Sequence, residues 1–180
     1  MADPGWWVIV ESYGVSRATT TRLVRSLRGS EAAALSFCRL LDAWAAGRPE
    51  PPTAGRRQAA LRRAAERAET ALADLQEPLD RFLLELEADS AEGTPWYGEP
   101  GAGELVDWEP VLRRAGVSAS PYRVAQAYLE LAVLVRALQG LATAARFDLP
   151  PDRGSIWAGL FDLRENLYGA AEDLRALAAY

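Results

Sequence analysis

Hydrophobic residues recur along most of this 180-residue chain in alternating steps of four and three. Leu61, Ala65, Ala68, Leu72, Leu75, Leu79, Phe82 and Leu86 form one such seam, Val124, Tyr128, Leu131, Val135, Leu138, Ala142 and Ala145 a second, and Ile156, Leu160, Leu163, Leu167, Ala170, Leu174 and Leu177 a third. That spacing puts each set on one stripe of an α-helix, the stripe a bundle helix buries against its neighbours. Pro78 falls inside the first seam, and its missing N–H predicts a kink there, or a break with Pro78 in the first turn of a new helix. Ser118 or Ser120 ahead of Pro121 opens the second seam, and the Asp-Leu-Pro-Pro run at 148–151 closes it. A shorter helix over 108–115, stopped by Gly116, supplies a fourth side.

The first 46 residues carry a different pattern. Residues 6–13 (WWVIVESY) are aromatic and β-branched, residues 18–27 (ATTTRLVRSL) are rich in Thr, and Gly14-Val15-Ser16-Arg17 lies between them as a turn. This predicts a β-hairpin. Gly29 ends it, Ser30 caps a helix with Glu31 in its first turn, and Leu35, Cys38, Leu41 and Ala45 repeat at helical spacing. The expected class is therefore mainly α (α+β), an N-terminal β-hairpin-helix unit (1–46) followed by an antiparallel helical bundle (56–180). Residues 47–55, with three prolines in four positions, read as a semi-rigid connector between the two. Two strands and one helix bury too little area to stand alone, so the N-terminal unit is expected to dock on its own bundle, a second copy or another protein.

Composition then removes whole classes of chemistry. The chain has no histidine, and all 20 basic residues are arginine. No imidazole base, Schiff-base lysine or phosphate-loop lysine exists, and the one cysteine, Cys38, cannot form an internal disulfide or a CxxC pair. Any enzyme would rest on carboxylates and a metal. The wealth of Ala and Arg with no Lys matches a GC-rich bacterial coding sequence. The start lacks a basic region and its apolar run breaks at Glu11, unlike a secretory signal; the run at 131–135 is far short of the ~20 residues that cross a bilayer. A cytoplasmic location without membrane contact is the expectation.

Charge is unevenly spread. Residues 1–68 hold eleven Arg against six acids, a net of +5, while residues 69–180 hold nine against nineteen, a net of −10. Arg17, Arg22, Arg25 and Arg28, then Arg48, Arg56, Arg57, Arg62, Arg63 and Arg67, are candidates for a basic surface that meets an acidic protein or nucleic-acid phosphates. The loop at 92–109 combines five carboxylates with Trp96, Tyr97 and Trp108; those aromatics either anchor a partner or close the end of the bundle core.

The reading that follows is a non-enzymatic bacterial interaction or assembly module with no cofactor, binding a protein partner or a second copy. Trp96, Tyr97 and Trp108 are its expected anchors, and Arg56, Arg57 and Arg63 its complementary charge. Two alternatives are a nucleic-acid-binding accessory protein using the Arg-rich N-terminal third, and a Mg²⁺-dependent helical phosphohydrolase using the spaced carboxylates Glu66 and Glu69 with Asp162 and Glu165.

Overall fold

The computed structural model describes residues 11–48, 52–86, 93, 106–146 and 152–180, with side chains left undescribed for 141–146. Its elements are α1 (Arg17–Ala45), α2 (Ala54–Leu86), α3 (Trp108–Ala115), α4 (Pro121–Arg146) and α5 (Arg153–Ala178). The helical expectation holds for the bundle, and all the seam residues named above on α2 and α5 are buried. On α4, Val124, Leu131 and Leu138 are buried, joined by Ala127, Leu134 and Ala137.

The N-terminal β-hairpin is not there. Among the described residues there is no strand, and α1 runs without interruption through the second expected strand, Gly29 and Ser30. Of the first expected strand, residues 6–10 lie outside the described residues, whereas Glu11 and Ser12 are helical and Tyr13-Gly14 form a turn. The β-branched threonines misled because their hydroxyls satisfy helix carbonyls: Thr20 Oγ1 donates to Ser16 O at 3.1 Å and Thr21 Oγ1 to Arg17 O at 2.8 Å. Thr19, Thr20, Leu23, Val24 and Leu27 then share one buried helical stripe. Ser30 caps nothing; buried in mid-helix, it donates to the Ala71 carbonyl of α2 at 3.0 Å.

The cap of α1 is Ser16, whose Oγ accepts from Thr19 N–H. A carboxylate of another helix completes it. Glu85 of α2 accepts from Ser16 N–H at 2.9 Å and from Thr19 Oγ1 at 2.6 Å. Partial burial pushes the Glu85 carboxyl up, but these bonds and Arg81 outweigh it and hold the group below the usual carboxylate range.

Four long helices close a square in the order α1, α2, α5, α4. Every neighbouring pair is antiparallel, as the cross-links show: Arg22 with Glu77 for α1/α2, Arg175 with Glu69 for α2/α5, Arg123 with Asp173 for α4/α5, and Tyr128 with Asp42 for α1/α4. It follows that α2 and α4 point the same way. The chain therefore leaves α2 at one end of the bundle and reaches α3 at the other, a crossover rather than a short turn. Gly93, within that connection, approaches the start of α5 so closely that a Cβ there would overlap the Gly154 carbonyl.

One contiguous core runs from Val15 to Leu177, with Trp44, Phe37 and Phe82 among its largest fully buried side chains. Residues 47–55, expected as a connector between units, thus join two helices that share this core. On α1 the buried stripe is Ala34, Phe37, Cys38, Leu41 and Trp44, while Leu35 and Ala45 are only half-buried. Helix α2 continues through Pro78, which is itself buried, with no break. Helix α3 has the expected limits: Asp107 caps it, and Gly116, at φ 66°, ends it.

Candidate functional site

The Arg-rich region is split by the fold into two roles. Arg57 is structural: its Nε donates to the Ala115 carbonyl at 2.5 Å and Nη1 to Pro52 O at 2.9 Å, clamping the C-terminal end of α3 to α2. A cation on exposed helix carbonyls also meets the negative end of the helix dipole. Beside it Gln58 exchanges two hydrogen bonds with the Ser118 backbone. Arg56 and Arg63 stay exposed.

Arg63 belongs to a shallow groove of about 320 Å³ between α1 and α2. Ser36, Arg39, Leu40 and Ala43 line it from α1, and Ala60, Arg63, Ala64 and Arg67 from α2. Helical spacing explains the grouping: 36, 39, 40 and 43 fall on one face of α1, as 60, 63, 64 and 67 do on α2. Alanines at 43, 60 and 64 leave the space that larger side chains would fill. Arg67 donates Nε to the Arg63 carbonyl at 3.2 Å, which holds its guanidinium along α2. Neither Arg39 nor Arg63 has an ion pair or side-chain hydrogen bond among the described residues. Among the described residues no carboxylate lines the groove. The nearest acids in sequence are engaged elsewhere: Asp42 accepts from Tyr128 Oη at 2.7 Å, and Glu66 faces Arg62 at 3.9 Å.

The expected aromatic anchors fare differently. Trp108 is 4% exposed and meets the Tyr128 ring at a centroid distance of 5.1 Å, so it closes the end of the core and offers no anchor to a partner. Trp96 and Tyr97 lie outside the described residues.

Nor does the fold gather the carboxylates of the phosphohydrolase alternative. Glu69 pairs with Arg175 at 3.0 Å, and Arg164 reaches both Asp80 and Glu165. Glu69 and Asp80 stand eleven positions apart on α2, about 16 Å along the axis, which separates the level of Glu66 and Glu69 from that of Asp162 and Glu165. Among the described residues no group of three or more Cys, Asp or Glu could hold a metal ion. Burial, with Asp42 adding to it, pushes the Cys38 thiol up to about 12, so this residue is an inert core group. No described helix is long and apolar enough to cross a membrane.

A second polar cluster lies in the α4/α5 seam. Glu130 packs against Gly169, where a Cβ would sit 3.0 Å from Glu130 Oε1, and its Oε2 is buried without a hydrogen-bond partner among the described residues. Burial first, and the neighbouring Asp173 second, push this carboxyl up to about 7. Asp173 itself is held by Arg123 at 2.9 Å.

Arg39 lies on the helix expected over 30–46, but its periodicity does not say which neighbour that face meets; packing against α2 sets Ser36 and Arg39 beside Ala60 and Arg63. No family model, curated protein or solved structure matches the chain.

Proposed function

We propose that the chain is a non-enzymatic, cytoplasmic binding module of a bacterial complex that docks an acidic segment of a partner protein on the α1/α2 groove. The observation that carries this reading is the set of Arg39, Arg63 and Arg67 around one groove without a carboxylate. Three exposed cations with no counter-charge in the groove set up a positive potential that attracts an anionic ligand. Arginine suits the task, since its planar fork pairs carboxylates through two parallel bonds and is less strongly hydrated than an ammonium.

The shape of the charge favours a protein over nucleic acid. The basic stretch is short: on the same side of α2, Asp74 and Glu77 follow Arg67, and Glu77 is paired with Arg22. A nucleic-acid backbone laid along the two helices would meet those carboxylates within about three turns.

The test is fluorescence anisotropy with a labelled Glu-rich peptide and an oligonucleotide of equal length. The peptide should bind at low salt, weaken as salt rises, and lose binding in the Arg39→Ala/Arg63→Ala double variant. Equal binding by wild type and variant would remove the groove from the reading. Tighter binding of the oligonucleotide would replace the protein partner with nucleic acid.

A further inference from the structure

We infer that the groove takes a dianionic phosphate monoester carried on a side chain of the partner protein, with Arg39, Arg63 and Arg67 as its clamp and Ser36 as a neutral donor. This rests on the docking reading above and narrows its ligand.

The first argument is charge balance. Three arginines line the groove, and among the described residues no carboxylate there offsets them. A single carboxylate brings one negative charge and leaves two cations facing each other. A phosphate monoester brings roughly −1.5 to −2 at neutral pH, with three strong acceptor oxygens.

Donor count agrees. The guanidiniums of Arg39 and Arg63 are uncommitted among the described residues, and Arg67 commits only Nε, to the Arg63 carbonyl. That bond fixes the Arg67 group on the groove wall and leaves its terminal amino groups to donate. Ser36, exposed one helical turn before Leu40, adds a hydroxyl from the α1 side. Three forks and one hydroxyl reaching from two helices match a tetrahedral, multi-oxygen ligand better than a planar two-oxygen one.

Groove size decides how the phosphate arrives. A volume of about 320 Å³ exceeds what one phosphate group fills, and the rest of the lining is Leu40, Ala43, Ala60 and Ala64. An apolar floor next to a cationic wall suits a phosphorylated side chain with hydrophobic neighbours in its own chain. A free ion would leave that floor in water.

The experiment uses the full chain and three probes: a labelled Ala/Leu-flanked phosphoserine peptide, the same peptide with Glu in place of phosphoserine, and inorganic phosphate. Binding is followed by anisotropy, with phosphate as competitor, and by the Nε–H resonances of the arginines in ¹⁵N-labelled protein. The phosphopeptide should bind about tenfold or more tighter than the Glu peptide, move the Arg39 and Arg63 resonances, and lose that advantage in Arg63→Ala. Arg63 is exposed, and an unchanged circular dichroism spectrum shows that the variant folds. If the two peptides bind within twofold, the phosphate inference falls while the docking reading stands. If neither peptide binds, both fall. Inorganic phosphate competing at the same concentration as the phosphopeptide would overturn the protein-borne source, and unmoved Arg39 and Arg63 resonances would overturn the site.

Discussion

The α1/α2 side and the α4/α5 side of the bundle handle unneutralised charge in opposite ways. Helix α2 carries twelve charged residues in 33, and α4 carries four in 26. On α1/α2 the cations without partners, Arg39 and Arg63, stand outside the core in water, where high dielectric makes their proximity cheap. In the α4/α5 seam the unpartnered group is an acid, Glu130, held inward against Gly169, where desolvation penalises its charge. The exposed positions of α4 mix two large hydrophobics, Tyr122 at 70% and Leu129 at 44%, with Arg136 and Gln139. An exposed like-charge cluster costs little and is suited to binding; a buried lone charge taxes stability and is suited to nothing until it is protonated.

The comparison breaks first if the two sides are not one cooperative body. Trp44→Ala on α1 should cost about 3–5 kcal/mol, because it empties the shared core. Urea denaturation followed by circular dichroism should show a single transition moved to lower urea; two separate transitions would mean that α1 unfolds apart from α4 and α5.

Next in size is the joint between α1 and α2. Glu85→Ala removes the acceptor for Ser16 N–H and Thr19 Oγ1 and should cost about 2 kcal/mol. The folded Glu85 carboxyl is lowered, so its contribution is present above the ordinary carboxylate range and disappears as pH falls through the folded value. Melting curves of variant and wild type should thus differ at pH 7 and converge in acid.

Glu130 should behave with the opposite sign. Its folded carboxyl, raised from 4.5 to about 7, makes the fold lose stability as pH rises across that interval, with the full penalty present above it. Glu130→Gln should raise stability at pH 8 by about 1 kcal/mol, partial solvent access reducing the full linkage value, and change little at pH 4. A destabilised variant at pH 8 would show that Glu130 is neutralised by some other group.

The smallest expected effect sharpens the comparison most. Arg63→Ala should move stability by no more than about 0.5 kcal/mol in either direction, since the exposed guanidinium makes no pairing. A loss of 2 kcal/mol or more would mean that Arg63 serves the fold, as Arg57 does.

Helical periodicity made much of this legible beforehand. On α2 and α5 the seam is strict and its residues are the core, and Gly116 stops α3 where a left-handed residue is needed. In α1 local propensity misdirected: three consecutive threonines and the glycine at 29 argue for strand and stop, yet Thr20 and Thr21 bond back to their own helix and Ser30 finds a carbonyl on α2. Those partners come from the helix itself and from a segment 41 residues away, which no local pattern reports. The candidate site was half legible. Arg56, Arg57 and Arg63 were visible as a charge cluster, but only packing separates Arg57, spent on Ala115, from Arg63, left free beside Arg39 and Arg67.

By itself the sequence determined the available side-chain chemistry and the helices of the bundle, though not the helical N-terminal region: no histidine, no lysine and one cysteine narrow the side chains a site could use, and steps of four and three impose helices with one apolar stripe each. Tertiary structure alone decided which arginines are structural, that Trp108 faces inward, that the carboxylates at 66 and 69 stand apart from those at 162 and 165, and that Glu130 Oε2 is buried without a partner among the described residues. The division is physical. Composition and periodicity are local properties of the chain, whereas the cost or use of a charge depends on what the other helices bring within a few ångströms of it.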